Sequence, residues 1–228
     1  MGFFIYVSIY YRTDEVALKM YQEGKDSNQI VSYENMTIIE PEVENGTGII
    51  FYPGAKVEAR AYVPLLSQLA DEGYTTVLLE MPFNMAIFDS DAAKDVFALL
   101  DDTGNNEASE VAGKLEHVSE WYMMGHSMGG AMASDFASKH QDAVEGVILI
   151  GAYVYGDYPI ENALTIYGTF NANLEENIDY TDNIVIIEGG NHAQYGNYGE
   201  QSGDPKATIS DVEQQKITVE AIVEFINN

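Results

Sequence analysis

A serine hydroxyl stands between two glycines at residues 125–129, in the pattern G-x-S-x-G. The apolar run Trp121–Met124 precedes it, and small residues that favour a closely packed helix follow it. A sharp turn from strand to helix needs such small neighbours, and it exposes the serine Oγ beside the free N–H groups of the helix start. The spacing therefore predicts Ser127 as a nucleophile and the backbone N–H of Met128 as an oxyanion donor.

A serine nucleophile needs a general base, and the chain contains four histidines. His117 and His140 lie near the ends of polar segments and are predicted to be on the surface, while His126 lies inside the turn and is predicted to point away from the site. His192 directly follows the apolar run at residues 184–187, near the C-terminus. Since the base comes last in the chain order of this pattern, we predict His192 as the general base.

Apolar runs alternate with amphipathic segments along the chain, which predicts an α/β fold. The central sheet should be mostly parallel, with helices on both faces. The predicted strands are 29–32, 36–39, 48–52, 75–81, 121–124, 147–150, 163–167 and 184–187. The predicted helices are 14–24, 62–70, a stretch within 85–100, 107–117, 130–140 and a last helix that starts at a capping box of Ser210 and Glu213. In the last helix, the apolar positions predicted to face inward are Val212, Val219, Ile222, Val223 and Ile226.

Two segments divide the chain in this prediction, within one domain overall. Residues 1–47 form an N-terminal segment with a short helix and the first strands, and residues 48–228 form the core. About ten residues separate the apolar segment 147–153 from the next strand, which is too few for a cap domain. A ligand site at the carboxyl ends of the strands should then be shallow and open.

The composition excludes several classes of partner and chemistry. Ten Lys and Arg against 37 Asp and Glu give a net charge of −27, which repels nucleic acids and anionic lipids. The absence of cysteine excludes disulfides, thiolate catalysis and cysteine-bound metals. No spacing typical of metal ligands and no glycine-rich dinucleotide motif is found, so we expect neither a metal nor a cofactor.

Residues 2–11 are strongly apolar, but they are about half the length that spans a bilayer. They could form a buried N-terminal element of the fold, or the tail of an anchor helix. The first reading is compatible with a cytoplasmic protein and the second with a membrane-anchored, extracytoplasmic one.

Four blocks together resemble the α/β-hydrolases, in particular the compact bacterial group that is similar to dienelactone hydrolase. They lie at residues 51–62 (FYPGAKVEARAY), 77–89 (VLLEMPFNMAIFD), 125–131 (GHSMGGA) and 188–199 (EGGNHAQYGNYG). The resemblance covers roughly residues 48–228. It implies a serine hydrolase of small esters or related acyl compounds that needs no cofactor. It also implies a second oxyanion donor in the loop at 52–56, where we expect the backbone N–H of Ala55.

The acid of the expected triad is the point where the sequence departs from this group. The group has an aspartate in a pattern like Y-G-x-x-D, whereas residues 167–171 read YGTFN and place Asn171 at the acid position. Three interpretations are open. Asn171 could replace the acid; Asp157 could supply a carboxylate, with Glu175 and Glu176 as weaker candidates; or the chain could be a weakened or inactive scaffold that binds a ligand.

The walls of the site are predicted from two segments. Lys56 and Arg60 lie beside the expected oxyanion loop, where they could attract an anionic substrate. The loop after His192 should form one wall, with Tyr195 and Tyr198 as candidate lining residues. The sequence as a whole predicts a serine hydrolase of small acyl substrates, and a ligand-binding scaffold is the alternative.

Overall fold

The alternating apolar runs form one eight-stranded sheet in the computed structural model, which describes residues 6–101, 107–171 and 174–228. The strand order is β1-β2-β4-β3-β5-β6-β7-β8. The first two strands are antiparallel to their neighbours, and the other six run parallel to one another. The strands are β1 (Ile30–Tyr33), β2 (Met36–Ile39), β3 (Thr47–Tyr52), β4 (Thr75–Leu79), β5 (Glu120–His126), β6 (Gly146–Ile150), β7 (Ala163–Gly168) and β8 (Ile184–Ile187).

The central strands are buried on both faces because successive side chains point to opposite sides of the sheet. In β3, Ile49 and Phe51 enter one apolar core, and Ile50 and Tyr52 enter the other. All four side chains are fully buried. This double burial explains why these strands read as continuous apolar runs.

Helices cover both faces of the sheet, as the sequence predicts. They are α1 (Glu15–Asp26), α2 (Val63–Asp71), α3 (Ala93–Leu100), α4 (Glu107–Gly113), α5 (Met128–Lys139) and α6 (Asp211–Ile226). Helices α1, α2 and α6 pack on the core that contains Phe51, and α3, α4 and α5 pack on the core that contains Tyr52. The predicted mostly parallel α/β fold is confirmed.

The last helix begins where its capping box predicts and differs from the prediction at one inward position. The Ser210 side chain accepts a hydrogen bond from the Glu213 N–H at 3.1 Å, which satisfies one of the free donors of the first turn. Val219 and Ile222 are buried, but Val212 is 70% exposed. Val212 lies in the first turn of the helix, beyond the part that packs against the sheet.

The N-terminal segment is joined to the same sheet. It contributes α1, β1 and β2, and the backbone of Tyr11 bonds to Lys56 and Glu58 beyond the end of β3. Residues 2–5 of the apolar N-terminal stretch lie outside the described residues. Among the helices that the structure describes, none combines the length and the apolar character needed to cross a bilayer.

The chain changes direction across the sheet between β3 and β5. From β3 it passes to β4 on one side, and it then returns to place β5 on the other side of β3. The loops after β3 and β5 therefore diverge at the carboxyl end of the sheet and leave a crevice there, where ligands of such sheets bind. The connection from β6 to β7 is only residues 151–162, so this edge of the described fold carries no cap domain.

Candidate active site

Ser127 occupies the turn between β5 and α5 with a strained backbone. Its φ of 55° and ψ of −122° lie in a region that residues other than glycine rarely adopt. The Ser127 N–H donates to the carbonyl of Ile150 on β6 at 3.0 Å, which ties the turn to the neighbouring strand. Half-buried Ser127 lines a cavity at the carboxyl end of the sheet, as expected of a nucleophile on a strand-to-helix turn.

The two glycines of the motif allow this turn by permitting close backbone contacts. A Cβ on Gly125 would overlap the backbone of Gly129 in the first turn of α5. A Cβ on Gly129 would overlap the carbonyl oxygens of Tyr52 and Pro53, which end β3 and open its loop. The motif glycines therefore bring the start of α5 against the loop that follows β3.

His192 lines the same cavity and is oriented by Asn171. His192 Nδ1 lies 2.5 Å from Asn171 Oδ1, and the ring is half-buried after β8. If Nδ1 donates to this oxygen, the proton is on Nδ1 and Nε2 keeps its lone pair, which is the form a general base needs. No hydrogen bond joins Ser127 and His192 in the described part of the chain, and such contacts often tighten only when substrate binds.

Asn171 contacts His192, whereas the alternative candidates for the triad acid lie outside the cavity. Asp157 is exposed, and its backbone carbonyl accepts a hydrogen bond from Gln141. Glu175 Oε1 accepts a hydrogen bond from the Tyr167 hydroxyl at 3.0 Å. Neither Asp157, Glu175 nor Glu176 lines the cavity. Asp157 lies away from His192 because of the path of its loop. After β6 the loop runs to Gln141, just beyond the C-terminal end of α5.

A carboxylate that the sequence did not single out, that of Asp204, bonds to the backbone of His192. Asp204 Oδ1 accepts from the His192 N–H at 3.2 Å, and Oδ2 accepts from the Ala193 N–H at 2.8 Å. Burial lowers the pKa of His192 below its usual value because it penalises the charged ring, and the Asp204 carboxylate partly offsets this effect. The His192 ring is therefore neutral at pH 7.

A buried network behind the site joins the loop after β3 to the motif. The Gly54 N–H donates to the Tyr62 hydroxyl at 3.1 Å, and that hydroxyl lies 2.7 Å from His126 Nδ1. Since the hydroxyl accepts from Gly54, its own proton is free to point at His126 Nδ1, which then carries no proton. Burial and then the nearby His192 hold the pKa of His126 well below its usual value, so this ring is neutral.

His126 contacts the catalytic candidate directly, which differs from its predicted orientation away from the site. Its ring centroid is 4.6 Å from that of His192, and the side chain is buried. The cause is the strand register: His126 ends β5, and its side chain packs on the face where Tyr62 and Tyr195 lie. His126 thus forms the floor beneath the His192 ring.

The cavity has a volume of about 560 Å³ and is open to solvent, as the short connection after β6 predicts. Its walls come from the start of α5 and from the loops after β6, β7 and β8. Apart from that of Asp204, the described lining side chains carry no formal charge at pH 7. They include Met128, Tyr153, Tyr155, Leu174, Asn177 and Gln201.

The residues predicted as pocket walls lie elsewhere. Lys56 Nζ lies 4.2 Å above the ring of Tyr6, and Lys56 does not line the cavity. Arg60 stacks on the Tyr21 ring and is 3.9 Å from the carboxylate of Glu80. Each cation thus contacts groups outside the cavity, and neither lines the cavity with Ser127.

Tyr195 and Tyr198 also differ from the prediction. Tyr195 is fully buried in the core that contains Phe51, and Tyr198 is buried beside Tyr11. The short 3₁₀ turn Ala193–Tyr195 after His192 directs these rings inward. The aromatic walls of the cavity are instead Tyr153 and Tyr155, in the loop after β6.

The backbone N–H groups of Met128 and Ala55 are free to bind an anion. Met128 is the first residue of α5, and half-buried Ala55 follows β3. Within the described residues neither N–H has a hydrogen-bond partner. Met128 lines the cavity, whereas Ala55 does not.

Sequence reasoning missed Asp204, Tyr153 and Tyr155. Asp204 follows His192 by twelve residues, inside the loop that was predicted to form a wall. Its position just before Pro205 was a signal for a turn but not for contact with His192. Tyr153 and Tyr155 directly follow β6 at the carboxyl edge, so their position in the chain was the available signal.

A family model described as the alpha/beta hydrolase family matches residues 48–103 and 98–216. Because these matches cover well over half of the chain, the protein belongs to the α/β hydrolase family. The predicted membership is thereby confirmed. No curated protein sequence matches the chain significantly.

Solved structures with a similar fold include hydrolases of several sources. Est1E from Butyrivibrio proteoclasticus, solved with ferulic acid, aligns with a TM-score of 0.56 at 14% identity over 85% of this chain and 96% of its own. A ferulic acid esterase from Streptomyces cinnamoneus aligns with a TM-score of 0.56 at 17% identity, over 82% of this chain and 67% of its own. A dienelactone hydrolase from Anabaena variabilis aligns with a TM-score of 0.53 at 15% identity, over 86% and 98%. At these identities the likeness establishes the fold.

Proposed function

We propose that this protein hydrolyses small carboxylic esters, with Ser127 as the nucleophile and His192 as the general base. The observation that carries the proposal is the strained left-handed backbone of Ser127 at the start of α5, on a cavity shared with His192. Non-glycine residues held in such sparsely populated backbone regions cluster at active sites, which favours a chemical role for Ser127. The esterases of similar fold support the same class of reaction.

Acylation begins when Ser127 Oγ attacks the carbonyl carbon of the ester. His192 Nε2 takes the hydroxyl proton as the new C–O bond forms, and the carbonyl oxygen becomes an oxyanion. The Met128 N–H on the cavity donates to this oxyanion, and the Ala55 N–H is the second donor, from the loop after β3 that lies against the start of α5. The intermediate then collapses, the bond to the leaving alcohol breaks, and His192 returns the proton to that alcohol, which leaves Ser127 acylated.

Deacylation repeats these steps with water. His192 Nε2 takes a proton from water as the oxygen attacks the acyl carbonyl, and the same two N–H groups stabilise the second oxyanion. Collapse breaks the bond to Ser127 Oγ, and His192 gives the proton to that oxygen. The products are a carboxylic acid and the free enzyme, and no cofactor enters the balance.

Asn171 holds the His192 ring through its neutral amide. Its carbonyl oxygen accepts from Nδ1–H, so it can select the correct tautomer, but it adds no negative charge beside the imidazolium that forms in each transition state. The turnover is therefore expected to be slower than with a carboxylate at this position.

One observation favours the alternative of a ligand-binding scaffold: an amide, Asn171, stands where a carboxylate is expected beside His192. Two features weigh against this alternative, because ligand binding alone does not require them: the strained backbone of Ser127 and the neutral His192 ring held at Nδ1 by Asn171. Turnover separates the two readings, since a scaffold binds an ester without releasing its alcohol.

The proposal is tested by the hydrolysis of p-nitrophenyl acetate and butyrate. We expect steady release of p-nitrophenol that falls to the uncatalysed rate in Ser127→Ala. Ser138→Ala is the matched control, because Ser138 lies on α5 outside the cavity, where its hydroxyl bonds to the Asp135 carbonyl. Equal rates for the protein and Ser127→Ala would contradict the proposal.

A further inference from the structure

The formal charge around the cavity is negative. Asp204 is its only formally charged lining residue at pH 7 in the described part of the chain. The segment that supplies most of the wall is similarly biased: residues 140–205 contain eleven Asp and Glu residues and no Lys or Arg.

The two cations near the loop after β3 are held by other groups, and Lys206, two residues beyond Asp204, lines the neighbouring cavity and not this one. Lys56 lies over the Tyr6 ring, and Arg60 lies between the Tyr21 ring and the Glu80 carboxylate. An anionic ester would therefore enter a negative crevice on a protein of net charge −27 without meeting a positive side chain in the cavity.

The neutral part of the lining suits a positive group. Tyr153 and Tyr155 stand on the wall after β6, and the faces of aromatic rings attract ammonium groups. The hydroxyl of Ser134 on α5 fixes this wall, since it bonds to both the N–H and the carbonyl of Tyr155. Asn171, Asn177 and Gln201 add amide oxygens to the lining.

We infer that the site selects esters that carry a positive charge, such as a quaternary ammonium group, and discriminates against esters that carry a carboxylate, with Asp204 as the residue that sets this preference. The inference rests on the proposed ester hydrolysis and adds the charge class of the substrate. Asp204 acts here on the substrate through space, while its two hydrogen bonds to the turn at His192 hold it in place.

Three acetate esters of similar size test the inference: acetylcholine, its neutral isostere 3,3-dimethylbutyl acetate, and the anion 3-acetoxypropanoate. Acetic acid release is followed by titration at constant pH, and kcat/KM is divided by the hydroxide-catalysed rate constant of each ester to remove differences in intrinsic reactivity. We expect the corrected kcat/KM to be highest for the cationic ester, lower for the neutral ester and lowest for the anionic one. Each step should be about fivefold at low salt, which is the effect expected of one pair of charges near a protein surface. The steps should shrink at higher ionic strength.

Asp204→Asn identifies the residue responsible. Any effect of this change on His192 alters all three rates alike, so the ratio of cationic to neutral ester isolates the effect on the substrate. We expect the ratio to fall by about fivefold, with Glu176→Gln, a matched loss of one charge outside the cavity, leaving it nearly unchanged.

The outcomes separate this inference from the proposed function. Hydrolysis of the neutral ester that depends on Ser127, with equal or reversed preference for the charged esters, would overturn the charge selection and leave the hydrolase intact. A ratio unchanged in Asp204→Asn would overturn the role of Asp204. Failure of all three esters would count against the proposed function itself.

Discussion

Restoring a carboxylate at residue 171 is the most informative change to this site. In Asn171→Asp the new side chain has nearly the same shape, and its oxygen takes the place of Oδ1, 2.5 Å from His192 Nδ1. The carboxylate can only accept from Nδ1–H, so it enforces the base tautomer. It also places a negative charge beside the imidazolium that forms when Ser127 is deprotonated.

The expected gain follows from the change in hydrogen-bond type. A bond to a charged partner contributes about 1.5–3 kcal/mol, against about 0.5–1.5 kcal/mol for a neutral pair. The difference, about 1–1.5 kcal/mol, appears in the transition state, where His192 is charged, and corresponds to a rate gain of roughly five- to twelvefold. The upper limit is about 10⁴, the loss seen when the triad aspartate of a serine protease becomes asparagine.

The assay is kcat/KM for p-nitrophenyl acetate across pH. Asn171→Asp should raise the plateau and move the acid limb to higher pH, because the carboxylate raises the pKa of His192 and activity is lost as pH falls through that pKa. Asn177→Asp is the matched control, since it adds the same charge to the same cavity without the contact to Nδ1. An unchanged or lower plateau in Asn171→Asp, at wild-type folding stability, would refute this account of the acid position.

Three further changes test other contacts of the site. Asp204→Asn removes the carboxylate that raises the pKa of His192, so the acid limb of kcat/KM should move to lower pH; a shift to higher pH would contradict this role. Tyr62→Phe leaves two buried polar groups without their shared hydroxyl and should lower the free energy of unfolding by about 1–3 kcal/mol in urea titrations; wild-type stability would argue against the network. Gly129→Ala forces a Cβ against the carbonyl oxygens at the end of β3, so esterase activity should fall by at least about tenfold with a stability loss of about 1–3 kcal/mol; full activity would show that the turn tolerates bulk.

The fold could be predicted largely from the sequence because its signals are local. Strands buried on both faces read as apolar runs, and β2 and β8 have the predicted bounds, Met36–Ile39 and Ile184–Ile187. The helix ends are less well defined in the pattern: α4 ends at Gly113, where the prediction extended to residue 117. Beyond Gly113 the polar residues continue, but turns replace the helix, and periodicity alone does not distinguish the two.

The positions of Ser127 and His192 on one cavity could be predicted, because each residue follows a strand that the sequence marks clearly. The partners that reach the site from loops could not. Asn171, Asp157 and Glu175 all follow β6 or β7 in chain order, and only the path of each loop decides which side chain meets His192. Asp204 reaches the site from a long loop that carries no periodic pattern.

Lys56 and Tyr195 were predicted to line the cavity and do not, because tertiary contacts set the direction of their side chains. The sequence shows that Lys56 is near the loop after β3, but not that an aromatic ring 50 residues earlier lies under its ammonium group. Tyr195 is three residues from His192, yet one short 3₁₀ turn rotates it into the core. Side-chain direction in such turns depends on tertiary contacts that spacing does not encode.

The central claim, that Ser127 is an activated nucleophile, is tested most directly by covalent labelling with a fluorophosphonate. The protein is incubated with the reagent, digested, and its peptides are identified by mass spectrometry, with Ser127→Ala treated in parallel. The account predicts one phosphonylated site, Ser127, formed at a rate that falls when His192 is replaced by Ala, and no adduct in Ser127→Ala. An unmodified Ser127 after complete reaction of a known serine hydrolase in the same tube would contradict the claim.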